Sequence, residues 1–95
     1  MSTDPEQVAA EIETRRAAIA DIDAMIVSLL NRRQAESHSL QMFKHAHGLP
    51  RKDPEQERRV VDRIRRLNAG PMTCEALERV YAAIFAHVVT EEGTS

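Results

Sequence analysis

Residues 12–44 read IETRRAAIADIDAMIVSLLNRRQAESHSLQMFK, a stretch without glycine or proline. Its apolar positions Ile12, Ile19, Ile22, Ile26, Leu29 and Leu40 recur at spacings of three, four, seven and eleven residues, the repeat of one face of an α-helix. Three cations, Arg16, Arg33 and Lys44, lie in or beside that stripe. A cation on an apolar seam costs free energy unless an anion meets it. The placement therefore points to a small, negatively charged ligand. The plain alternative is that these side chains run along the edge of the seam and put their charges in solvent.

Working outward, the helix is expected to start near Pro5, with Thr3 or Asp4 as N-cap, and to run to about residue 47, where Gly48-Leu49-Pro50 stops it. Asp53-Pro54-Glu55-Gln56 opens a second helix, about 54–68, and Asn68-Ala69-Gly70-Pro71 closes it. A third, about 73–92, carries the stripe Leu77, Val80, Tyr81, Ile84, Phe85 and Val88. A first helix of roughly 40 residues spans about 60 Å, more than a compact domain of this size. The two later helices are too short to cover its stripe, so a second copy of the chain is the expected source of the missing apolar surface.

Composition agrees. The 95 residues suit a single domain, 1–95. Aromatic residues make up only 3% and hydrophobic residues 42%, which favours an all-α fold over strands. A net charge of −2 gives no overall pull towards nucleic acid. Arg58, Arg59, Arg63, Arg65 and Arg66 are interleaved with Glu55, Glu57 and Asp62, and no aromatic rings accompany them for base stacking. The single cysteine, Cys74, cannot form an intrachain disulfide and fits a reducing compartment. The start MSTDPEQ lacks the pattern of a signal peptide, and no apolar run is long enough to span a membrane. A cytoplasmic protein with no membrane partner is expected. No metal is expected either: His45 and His47 diverge by about 200° on a helix, and His38 and His87 read as solvated.

Helix geometry sharpens the basic triad. Arg33 and Lys44, eleven residues apart, point within about 20° of each other and lie ~16 Å apart along the axis, within reach of one ligand from both ends. Arg16 lies ~25 Å before Arg33 and is turned by roughly 100°. If it joins a site, it joins the one in the partner copy.

The text Arg16-x2-Ile19-x2-Ile22-Asp23-x5-Leu29-Leu30-x-Arg32-Arg33, then Lys44, then Pro50-x2-Asp53-x3-Glu57, resembles the all-helical (AroQ-type) chorismate mutases from about Ile12 to Glu92. The resemblance implies an intertwined homodimer of three-helix chains that converts chorismate to prephenate at the start of Phe and Tyr synthesis, without a cofactor. It implies that Arg33 and Lys44 of one subunit and Arg16 of the other bind the two carboxylates and ether oxygen of chorismate. Glu57 would then accept the hydrogen bond of the ring hydroxyl, and Asp53 would contribute its backbone N–H. Independently of that role Asp53 reads as an N-cap, and Glu57 also reads as a first-turn acid favoured by the helix dipole.

Three site positions depart from the common family pattern. Gln56 stands where an Arg is usual, Val88 where a hydroxyl residue is frequent, and Glu92 where Gln is frequent. As a catalytic group Glu92 has to be protonated to donate to the ether oxygen, which favours acidic pH; as a terminal acid it is simply solvated. Arg51, Lys52 and Arg59 are the cations available to replace the missing Arg. The altered site also admits an isochorismate–pyruvate lyase or an amino-deoxychorismate mutase. A reading of another class is a helical dimerisation module, without catalysis or active only when docked on an enzyme of the same pathway.

Overall fold

The structure is a computed structural model of the chain. It describes residues 4–93, with side chains through residue 87. It is all-α among the described residues, with α1 (Pro5–Ala46), α2 (Pro54–Leu67) and α3 (Cys74–Gly93). Two compact units divide the chain, Met1–Ala35 and Glu36–Ser95.

The described part of the first unit is a stretch of α1 alone. Asp4 caps α1: its Oδ1 accepts from Glu6 N at 3.1 Å, and its own N–H donates to Gln7 Oε1 at 3.4 Å, a reciprocal capping arrangement. Pairs such as Arg15–Glu11 at 2.9 Å are spaced by one helical turn and stay exposed. They support the helix by only a few tenths of a kcal/mol each. No residue of α1 is buried. Ile19 and Leu29 keep 58% and 57% of their surface exposed, so the stripe that would form the core of a self-sufficient chain is bare.

In the second unit α1 ends at a glycine. Gly48 adopts φ +68°, the left-handed conformation that side-chain-bearing residues avoid. With the helix turned back there, Leu49 N donates to Lys44 O at 2.9 Å and Gly48 N to His45 O at 3.1 Å, the paired bonds that satisfy the last carbonyls. The chain then runs to Asp53, whose Oδ1 accepts from Gln56 N at 3.1 Å and caps α2. Asp53→Ala is expected to lower stability by about 1 kcal/mol, read as the urea midpoint at fixed protein concentration.

Asn68 organises the turn between α2 and α3. Its Oδ1 accepts from Gly70 N at 2.9 Å and its Nδ2 donates to Met72 O at 2.8 Å. Gly70, at φ +78°, is the second position that requires glycine. Thr73 then caps α3, accepting from Ala76 N at 3.1 Å. The two helices pack on each other with Val60, Val61 and Ile64 of α2 and Leu77, Tyr81, Ile84 and Phe85 of α3 half-buried. An ion pair between Arg65 and Glu78 ties the helices at their polar margin. That pair raises the Arg65 guanidinium above its ordinary pKa, first through the hydrogen bond and then through the carboxylate charge.

Candidate active site at the end of the first helix and the start of the second

Lys44 sits in the last turn of α1, half-buried, with Nζ donating to the carbonyl of Arg51 at 3.0 Å. Gln41, one turn earlier, donates to the same carbonyl from Nε2 at 3.3 Å. These two bonds hold the segment that leads into the α2 cap against the last turns of α1. Lys44 and Asp53 are thereby brought to one neighbourhood, because Asp53 follows Arg51 by two residues.

The first turn of α2 presents the remaining polar groups. Asp53 spends its side chain on the cap. Gln56 receives Arg59 Nη1 on Oε1 at 3.5 Å, which puts one of the three cations considered as replacements for an Arg at position 56 against it. Arg51 is engaged through its backbone carbonyl. Glu57 is half-buried and lines an open groove of about 350 Å³ between α2 and α3, together with Arg58, Val61, Asp62, Arg65, Glu78, Ala82 and Phe85. Arg58 in that groove is paired with Glu55.

In the first unit Arg33 is half-buried and already engaged. Arg16 is exposed and pairs with Glu13 at 3.0 Å. The side chains of Val88 and Glu92 lie outside the described residues. Among the described residues no group of His, Cys, Asp and Glu is placed to hold a metal ion, and no helix is long and apolar enough to cross a membrane. His47 stacks on Phe43, ring centres 4.2 Å apart, with Nδ1 2.9 Å from the Phe43 carbonyl oxygen.

Gln41 is the residue that sequence reasoning missed. The available signal was a polar run, Gln34, Ser37 and Gln41, at helical spacing beside Arg33 and Lys44; all five are half-buried.

Residues 15–93, most of the chain and every site position just described, match the family described as chorismate mutase type II. The chain belongs to the chorismate mutase type II family. It is 35% identical over 77 residues to the bifunctional chorismate mutase/prephenate dehydratase of Neisseria gonorrhoeae. That match takes in 81% of this chain but spans only 21% of the relative's length. Two solved chorismate mutase structures from Thermus thermophilus share the fold. The Form II structure has a TM-score of 0.85 at 22% identity and covers 90% of this chain and 97% of its own. The Form I structure has a TM-score of 0.80 at 23% identity and covers 82% and 98%. The three-helix chain expected for an all-helical chorismate mutase is therefore the chain observed.

Proposed function

We propose that this chain is a chorismate mutase that rearranges chorismate to prephenate at the start of Phe and Tyr synthesis. In this reading residues 1–95 act as one domain in an intertwined cytoplasmic homodimer. The observation that carries the proposal is the family match over residues 15–93, which includes every cation of the Arg16, Arg33 and Lys44 set together with Asp53 and Glu57. The bare stripe of α1 supports the dimer, since a second copy of the same stripe covers it. In the gonococcal relative the mutase name stands beside a prephenate dehydratase in a single protein. This chain's product accordingly passes to an enzyme that consumes prephenate.

The reaction is a unimolecular Claisen rearrangement. One C–C bond forms as one ether C–O bond breaks, with no net proton transfer and no cofactor. The protein has two tasks: selecting the compact substrate conformer and stabilising negative charge on the departing ether oxygen. Arg33 and Arg16 of the partner subunit each fork onto a carboxylate. Lys44 places a compact charge beside the ether oxygen, and Glu57 accepts the ring hydroxyl with help from the N–H of Asp53 at the α2 start. Gln56 and Val88 line the pocket, Arg59 supplies charge beside Gln56, and Glu92 in its protonated form donates to the ether oxygen.

The test is turnover of chorismate and isochorismate by the purified chain, with products separated and prephenate and pyruvate scored. Prephenate from chorismate is expected, with no pyruvate from isochorismate. Pyruvate release would move the assignment to the lyase. If neither substrate turns over until a pathway enzyme is added, the chain is a partner-activated mutase; if neither ever does, turnover of amino-deoxychorismate separates a mutase for that substrate from a dimerisation module.

A further inference from the structure

Gln41 is a half-buried amide one turn before Lys44, and its two ends are in different states. Nε2 donates to the Arg51 carbonyl at 3.3 Å, the oxygen that also accepts from Lys44 Nζ at 3.0 Å. Oε1 is buried and has no hydrogen-bond partner among the described residues. The orientation of the amide is settled by chemistry: turned over, it would aim one acceptor oxygen at another with no proton between them. A buried acceptor left unmet is destabilising. The nearby ammonium has two donors beyond the one it gives to Arg51.

We propose that Gln41 is a positioning residue for Lys44: it grips the Arg51 carbonyl with its N–H and offers its inward oxygen as a second, uncharged acceptor to the ammonium when the site holds its anion. The inference rests on the assignment of Lys44 to the substrate made above. With the carbonyl held by Gln41, Lys44 can turn towards the substrate without releasing the segment that carries Asp53. The residue type follows from the task. An aliphatic side chain loses the grip on the carbonyl. A carboxylate repels that carbonyl and cancels the positive charge the substrate needs.

Gln41→Leu and Gln41→Glu, compared with the wild type as the full chain, test the proposal. Gln41→Leu should lower kcat/KM for chorismate about tenfold, mostly in kcat, with helix content unchanged. The isosteric Gln41→Glu should lower it about a hundredfold near neutral pH. The ratio of variant to wild type should then recover as pH falls towards about 4.5, where the new carboxyl takes up a proton and regains a donor. Wild-type kinetics in both variants, with a ratio flat across pH, overturn the proposal. Amide hydrogen exchange at Gln56 and Glu57, whose N–H groups donate to Asp53 Oδ1 and O at 3.1 and 3.2 Å, gives a readout independent of turnover. Faster exchange there in Gln41→Leu, with α3 unaffected, supports the link; unchanged exchange overturns it. A wild type that fails to turn over chorismate, yet shows the faster exchange in Gln41→Leu, sinks the mutase reading and leaves the Gln41 link standing.

Discussion

Lys44→Ala should lower kcat/KM for chorismate by about a thousandfold, a loss of roughly 4 kcal/mol of transition-state stabilisation. In the proposed mechanism the ammonium meets charge that develops only as the ether bond breaks, so kcat should fall with kcat/KM. Arg16→Ala, which in the same mechanism removes a group binding a carboxylate present in both ground and transition states, should raise KM more than it lowers kcat. Lys44→Arg should not restore the rate, because a planar fork cannot place a point charge where the ammonium sits. Initial rates for the three variants, with thermal melts alongside, decide the matter. The Lys44→Ala chain should melt no lower than the wild type, since among the described residues the side chain gives up one hydrogen bond, to the Arg51 carbonyl, and removing it relieves a half-buried charge. A variant with wild-type kcat/KM would show that Lys44 only anchors the segment after α1.

How much of this was legible in advance depends on the range of each interaction. The stops and caps were readable because they are local. Gly48 ends α1 through bonds that reach back five residues at most, and Asp53 and Thr73 cap helices that begin one residue later. The apolar stripe from Ile12 to Leu40 was readable because a helix repeats every 3.6 residues whatever covers it. The bond made by Gln41 was hidden, because it goes to a carbonyl ten residues later that only the turn at Gly48 brings back. The Arg65–Glu78 pair was hidden for the same reason: it spans thirteen residues across the Asn68 turn. At Gln56 the sequence exposed a missing Arg and three candidate replacements. That Arg59 bonds to Gln56 is seen only in the side-chain geometry of the first turn of α2.

Ile22→Glu is expected to abolish both the dimer and most of the helix. A single chain leaves the stripe uncovered: Ile22 is 51% exposed and no hydrophobic side chain among the described residues is buried. Finishing the burial of a half-exposed Ile or Leu contributes about 1 kcal/mol. Ile12, Ile19, Ile22, Ile26 and Leu29, counted in both copies of a dimer, then contribute about 10 kcal/mol, comparable to the whole stability of a typical domain. In the proposed dimer folding and association are then one event, and stability should depend on protein concentration. A glutamate on the seam appears twice per dimer, and each copy adds a buried charge with no partner. The control is Met42→Glu: Met42 is 57% exposed and lies about 160° around the helix from Lys44, away from the seam. Sedimentation and circular dichroism at micromolar concentration should show Ile22→Glu as a largely unfolded monomer and Met42→Glu as a helical dimer. An Ile22→Glu chain that stays fully helical as a monomer would mean that α1 is stabilised within its own subunit, and the reading of its stripe as a subunit interface would have to be abandoned.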